Sequence, residues 1–298
     1  MRIIKKISER YYQFLNHPVT KNNELKAMYN YVSFNIKNRI FAELKYEWIN
    51  KLQFIARKGD AGMVGNIYFG LYEFEESIFL LHFLEKNDNF LDVGANLGHY
   101  SLLLSGVKKC NSIAIEPVPK TFSQLKKQID LNDLNTLISA QNVGVSNRED
   151  QLFFSNDRGT MNSIVNENYP NSTQVKVLNI DKIVKDSGKP IAMKIDVEGY
   201  EKFALEGAME TLQSEELKVV ILELNQAGKK YGIEDDEIYE LLINLGFKTY
   251  SYNFENRGLI SLESYNKQKF NTIFVRDTEF VERRLQNAEK IKIRNKFF

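Results

Sequence analysis

One stretch of the sequence restricts the fold more than any other. The apolar strand Phe90-Leu91-Asp92-Val93 runs through Gly94-Ala95-Asn96-Leu97-Gly98 into an amphipathic helix, and Glu116-Pro117 closes the next apolar run. A strand that ends in glycines at a helix N-terminus has the layout of a nucleotide-type cofactor cradle. Gly94 and Gly98 can take backbone geometry closed to other residues and let the main chain approach a ligand. A dinucleotide fingerprint reads Gly-x-Gly-x-x-Gly, whereas this loop reads Gly94-x-x-x-Gly98 with Asp92 upstream, which fits S-adenosylmethionine better. An acid at the end of the second strand, Glu116, can accept both ribose hydroxyls of any adenosine cofactor, so it supports the cradle without choosing its occupant.

The alternation that follows fixes the class. Strand 90–95, helix 98–106, strand 112–116, helix 119–132 and strand 138–145 precede a polar region at 146–190 that reads as inserted hairpins. Strand 191–196, helix 200–212, strand 218–224, helix 235–245 and strands 247–252 and 271–276 complete the pattern, the last two as an antiparallel edge. An α/β, doubly wound, mostly parallel sheet of seven strands is expected, covered on both faces. Val219-Val220-Ile221-Leu222 is apolar on both pleat faces, as a central strand requires.

The flanks read differently. Residues 1–60 carry apolar residues at mostly helical spacing, which predicts an N-terminal helical extension. The turn-prone run 58–66 marks the boundary, and a helix begins near Tyr72. Residues 61–277 form the main domain and 278–298 a basic C-terminal tail; six Lys/Arg against three Glu from Glu279 onward would suit contact with an anionic membrane surface. A formal net charge of +1 argues against a nucleic-acid partner. The single Cys110 allows no internal disulfide and suits a reducing compartment, and neither a leader-like segment nor a spanning apolar run is legible, so a cytoplasmic location is expected.

A second constellation, Lys194-Ile195-Asp196-Val197-Glu198-Gly199-Tyr200-Glu201, lies where the fourth parallel strand meets its helix, at the sheet edge where ligands of such folds bind. Lys194 and Asp196 sit two apart and project to one face, with Glu198 just beyond. Methyl transfer to a hydroxyl needs a positioned nucleophile and a group to take its proton; Asp196, Glu198 and His99 qualify. Acids at a helix start also favour the local dipole, and Lys194 can simply pair with Asp196. Glu223 and Asn225 point at the same crevice and, with Asp196, offer three hard oxygens, too few to assign a metal site.

These segments together give the chain a family look. Gly65 to Glu75, the Asp92 to Gly98 loop, Glu116-Pro117-Val118-Pro119 with Thr121-Phe122, Lys194 to Gly199 with Glu201, and Asn271 to Asp277 occur in the order seen in FkbM-type S-adenosylmethionine-dependent methyltransferases, which this chain resembles. The resemblance implies a class I methyltransferase fold and contacts to S-adenosylmethionine from Asp92, Gly94, Asn96 and Glu116, with Asn142 and Val143 near the adenine; Ala95, Gly98 and Pro117 in the same two loops complete the expected cofactor site. The resemblance places Asp196 by the transfer centre and implies a hydroxyl acceptor on a saccharide, glycolipid or related natural product, with Lys194, Glu198 and His99 standing beside it as the catalytic candidates of the constellation above. Asn96 stands in the middle of the glycine motif, and His99 stands where members often carry a small or aromatic residue. Two other readings compete: a cofactor-binding scaffold without turnover, since fold does not guarantee chemistry, and an NAD-dependent oxidoreductase, disfavoured by the missing fingerprint.

Overall fold

The computed structural model describes the backbone of residues 2–298 and the side chains from residue 5 onward. Helices α1 (Arg2–Asn16) and α2 (Glu24–Lys37) come first, then a hairpin of β1 (Leu44–Glu47) and β2 (Gln53–Ala56), then α3 (Ala61–Phe69) and α4 (Phe74–Phe83). The alternating half follows as β3 (Asn89–Val93), α5 (His99–Lys108), β4 (Asn111–Ile115), α6 (Pro119–Leu131) and β5 (Ile138–Gln141). An insertion holds β6 (Gly144–Val145), β7 (Asp150–Ser155), β8 (Ile164–Val165), β9 (Ser172–Leu178) and α7 (Ile180–Val184). Then come β10 (Ala192–Ile195), α8 (Glu201–Glu206), α9 (Met209–Gln213), β11 (Val219–Glu223), α10 (Asp235–Asn244), β12 (Lys248–Asn253), β13 (Gly258–Ser261) and β14 (Asn271–Val275). Helix α11 (Thr278–Asn287) and the pair β15 (Lys292–Ile293) and β16 (Lys296–Phe297) close the chain.

The main sheet runs β13-β12-β14-β11-β10-β3-β4-β5. Strands β5, β4, β3, β10 and β11 pair in parallel, while β14 lies antiparallel between β11 and β12. Chain order reverses between β3 and β10, and a crevice opens there at the carboxyl ends of the strands. In register, Asp92 faces Lys194 and Lys194 faces Ile221. Phe90, Ala192, Val219 and Ile221 pack in the core beneath α4, α5 and α11, and Leu91, Val93, Met193, Ile195, Val220 and Leu222 pack on the other face. Because strand residues alternate, Asp92, Lys194 and Glu223 share the first of these faces.

Several expectations are corrected. Residues 1–60 are helical only as far as Lys37, and the strands β1 and β2 follow. Burial alternates along both strands of the hairpin, and it is held from afar: the Ile55 N–H donates to Gln128 and the Gln53 N–H to Asn132, both supplied by the α6 end. The turn-prone run after Lys58 is the helix α3, whose glycines pack close to the Tyr72 ring. Strand 138–145 divides between two sheets, helix 200–212 breaks at Gly207-Ala208, and β13 adds an eighth strand at the edge.

The last segment is not a solvated tail. Ile293 is fully buried, Arg294 donates to the carbonyls of Ile67 and Tyr68 at 2.7 and 3.2 Å, and Lys296 donates to those of Pro18 and Lys21 at 2.7 and 2.6 Å. Two of the tail's cations are therefore committed to carbonyls inside the fold. Among the described residues no helix is long and apolar enough to cross a membrane.

Candidate functional site

The loop between β3 and α5 is shaped by one close approach. Gly94 has φ 81°, and a Cβ there would overlap the carbonyl oxygen of Asp196. The main chains leaving β3 and β10 therefore touch at a position only glycine fits. The N–H groups of Gly94 and Ala95 both donate to the Ile115 carbonyl, at 3.0 and 2.8 Å, which ties the loop to β4. Gly98, with φ 85°, enters α5 against Leu125.

Glu116 follows β4 and is buried. Its carboxylate accepts from the Asn96 N–H at 3.1 Å and the Val118 N–H at 2.9 Å. A carboxylate offers about four lone-pair positions, so about two remain for a ligand's hydroxyls. Burial pushes its carboxyl up to about 7 against the two N–H donors. Asn96, itself left-handed at φ 52°, donates its Nδ2 to the Thr160 carbonyl at 2.9 Å, while its buried Oδ1 has no partner among the described residues. Gly94, Asn96, Glu116, Pro117, Val145 and Phe154 line a cleft of about 100 Å³. These features fit an adenosine cofactor: spare acceptors for ribose, an orphaned amide oxygen and a backbone no side chain obstructs.

A cavity of about 330 Å³ adjoins it, sharing Gly94, Asn96, Thr160, Asp196 and Glu198. Lys194 is 1% exposed, and its Nζ has no hydrogen-bond partner among the described residues. The nearest carboxylate is Asp196, with Oδ2 at 3.7 Å, and the Tyr100 ring lies 5.9 Å away. Burial alone would lower the Lys194 ammonium, yet Asp196, Glu73, Glu223 and Glu76 outweigh it and hold the group charged, above the ordinary lysine range. Glu223 is pushed up to about 7 by burial and the charge of Asp196, and Glu198, at φ 55°, is raised by the same two causes in the same order.

Two expected residues, Asp92 and His99, border the larger cavity yet spend their polar atoms on the protein. Asp92 is buried and accepts from the Ser101 N–H at 3.0 Å and the Ser101 hydroxyl at 2.5 Å. It anchors the first turns of α5, and burial raises it to about 6. His99 fails as a proton acceptor, because both ring nitrogens are engaged. Asn66 Nδ2 lies 3.0 Å from Nδ1, while Ser77 Oγ lies 2.9 Å from Nε2 and donates to the Tyr72 carbonyl. The consistent tautomer carries its proton on Nε2, and burial, then Lys194, holds the ring down to about 3. Its role is to join α3, α4 and α5. Asn142 and Val143 line neither space: Asn142 Nδ2 donates to the carbonyls of Glu116 and Pro117, and Val145, two residues on, lines the cleft.

The opposite wall comes from residues outside both sequence motifs. Tyr72, Glu73 and Tyr100 line the larger cavity, with the Tyr100 hydroxyl donating to Glu73 Oε2 at 2.6 Å. Glu73 sits at φ 45° immediately before α4, an uncommon backbone for glutamate. The segment Gly65 to Glu75 is part of the family look, and the acidic cluster Glu73-x-Glu75-Glu76 at its end is the available signal. Thr160 and Phe154 come from the insertion, where no local pattern announced them.

The family model described as "Methyltransferase FkbM domain" matches residues 92–249. The hexuronic acid methyltransferase AglP of Haloferax volcanii is 30% identical over 165 residues, which are 55% of this chain. The chain spans 64% of that relative's length. Among solved structures, an rRNA methylase from Streptococcus thermophilus aligns with TM-score 0.41 and 14% identity, covering 67% of this chain and 93% of its own. The M. capricolum TrmK in complex with S-adenosylhomocysteine aligns with TM-score 0.38 and 9% identity, covering 67% of this chain and 66% of its own. These structural likenesses are partial, and the fold rests on the strand order above.

Proposed function

This chain belongs to the FkbM methyltransferase family and has S-adenosylmethionine as its cofactor, and from that premise we propose that it methylates a hydroxyl oxygen of a saccharide or glycoconjugate. The observation that carries the reading is the junction of two spaces at Gly94 and Asp196, one shaped for an adenosine and the other lined by carboxylates around a buried ammonium. The relative AglP is named for methylation of a hexuronic acid, which supports a sugar acceptor.

In this reading Glu116 holds the ribose hydroxyls, Asn96 and the Gly94-Ala95 backbone hold the remainder of the nucleoside and amino-acid parts, and Pro117 and Phe154 wall the base. When bound, the cofactor supplies an electrophilic methyl group on a sulfonium. Asp196, at the junction and about one-third exposed, accepts the proton of the acceptor hydroxyl. Lys194 orients that carboxylate from 3.7 Å and keeps the surrounding acids from standing uncompensated. Glu223 and Glu198 border the acceptor space and hydrogen-bond its hydroxyls. His99, with no free ring nitrogen, is left out of the chemistry.

Calorimetric titration with S-adenosylmethionine, followed by measurement of S-adenosylhomocysteine formed with a panel of saccharides, tests the reading. Binding at micromolar to millimolar cofactor and product with at least one sugar are expected. Product with amine or carboxylate acceptors and none with sugars would overturn it.

A further inference from the structure

The wall formed by Tyr72, Glu73 and Glu223 has a second side. These three residues also line a chamber of about 800 Å³ that reaches outward to the β12–β14 edge. An ordinary small-molecule pocket occupies roughly 300–1,000 Å³, so the two spaces together exceed what one sugar ring would use.

Apart from one lysine, the charged groups of this outer chamber are of one sign, set among the apolar and aromatic side chains of Phe74, Tyr252, Phe254 and Ile260. Glu73, Glu75, Glu76, Glu223 and Glu255 face it, and its lone cation among the described lining residues, Lys269, is paired with Glu75 at 2.5 Å. Asn271 is 8% exposed, lines the chamber, and its Oδ1 has no partner among the described residues. Phe270, beside it at the rim, is 45% exposed and held at φ 66°, so a large aromatic face is kept toward solvent by a backbone unusual for its residue type. Carboxylates and an unpaired amide oxygen accept hydrogen bonds from a ring bearing several hydroxyls, and an aromatic face receives the apolar side of such a ring. An acyl chain would strand the acids without partners, and an anionic ligand would meet unpaired acids such as Glu73 and Glu255 with no free cation beside them among the described lining residues.

We propose that this chamber is a subsite for a second, uncharged sugar ring, so that the acceptor is a neutral glycan of at least two residues. The inference rests on the saccharide reading and adds to it which saccharides are used. It sets this chain apart from the relative named for hexuronic acid, because the acid-lined chamber would disfavour a uronate.

The test uses the intact chain with S-adenosylmethionine and three sets of probes: methyl glycosides of neutral monosaccharides, neutral disaccharides and trisaccharides, and the same disaccharides with one ring oxidised to a uronic acid. S-adenosylhomocysteine formation is read as kcat/KM. Neutral disaccharides are expected to exceed monosaccharides by about tenfold or more, and uronates to fall below their neutral counterparts by a similar factor, each tenfold corresponding to about 1.4 kcal/mol. In Phe270→Ala, checked for folding by circular dichroism, the disaccharide-to-monosaccharide ratio is expected to drop about fivefold or more, an effect a general loss of stability would not produce. Equal use of mono- and disaccharides, preference for uronates, or an unchanged ratio in Phe270→Ala would overturn the subsite while leaving sugar methylation standing. Product with no sugar at all, alongside intact cofactor binding, would remove the saccharide reading itself.

Discussion

The two ends of the crevice are built in opposite ways. At the Glu116 end, the decisive groups are largely backbone, from the ends of the consecutive strands β3 and β4: Gly94 and Ala95 bond to Ile115, and Glu116 bonds to Asn96 and Val118. At the Lys194 end, the groups come from α4, α5, β10 and β11 and meet only in the folded chain. The first end has most of its polar atoms satisfied before any ligand arrives. The second holds a buried ammonium without a hydrogen bond and several carboxylates raised towards neutrality. Geometry fixed by backbone makes a rigid cradle, whereas charge assembled from distant elements makes a site that can be re-tuned by single side chains.

The largest effect that would break this comparison is expected at their junction. Gly94→Ala places a methyl group against the Asp196 carbonyl in a backbone region that disfavours alanine. We expect cofactor affinity to fall by about a hundredfold or more, with destabilisation of about 2 kcal/mol or more. Titration calorimetry and thermal melting would check both, and a variant with ordinary affinity would show that the loop is merely a turn.

Next in size, Asp196→Asn should separate the two ends. Cofactor affinity is expected to stay within about tenfold while turnover falls about a hundredfold or more, as loss of a proton acceptor requires. Near-normal turnover would transfer the role to Glu223, which with Glu73 borders both acceptor spaces. Glu116→Gln acts at the opposite end: an amide offers fewer acceptor positions, so the dissociation constant for the cofactor should rise about tenfold, with kcat at saturation changed less. An equal loss in kcat would mean that Glu116 also shapes the acceptor end.

The same contrast explains what was legible in the sequence. Helix and strand periods, the Asp92 to Gly98 loop and Glu116 are local patterns, and apart from the helices up to Lys37 and α4 each recovered element lies between β3 and β14. The hairpin β1–β2 and the β15–β16 closure were not legible, because their edges are satisfied by Gln128 and Asn132 in one case and by Phe298 with Ile291 in the other, partners the local pattern does not mark. His99 was read as a candidate base because its ring follows the glycine loop; the two bonds that occupy it come from Asn66 and Ser77, 33 and 22 residues away. Asp92 carried the motif, but its carboxylate serves Ser101, which suggests that a motif acid marks a backbone shape as readily as a ligand contact.

The smallest expected effect concerns protons, and it involves both ends at once. Burial raises Glu76 to about 8, and Glu116, Glu201 and Glu223 to about 7, above the unfolded glutamate value of 4.5. Between those limits the folded chain keeps protons that the unfolded chain has released, so stability is greatest at the acid side and declines as pH rises through 7 and 8. The histidines oppose this on the other side: burial holds His17 and His82 down to about 4 and His99 to about 3, so the unfolded chain alone takes up protons below 6.5 and stability declines as pH falls. The two windows overlap between 4.5 and 6.5, where these raised carboxyls together with Asp92 outnumber the three imidazoles, so the cofactor-free protein should melt highest near pH 5 and lose about 5 °C or more by pH 8.5. Ribose hydroxyls donating to Glu116 favour its ionised form, so saturating S-adenosylmethionine should flatten the part of that decline due to Glu116 and leave the part due to Glu76 and Glu223. Melting curves from pH 5 to 9, with and without cofactor, would read both slopes. A decline unaltered by the cofactor would mean that Glu116 keeps its proton in the complex, and the assignment of ribose to that carboxylate would fall.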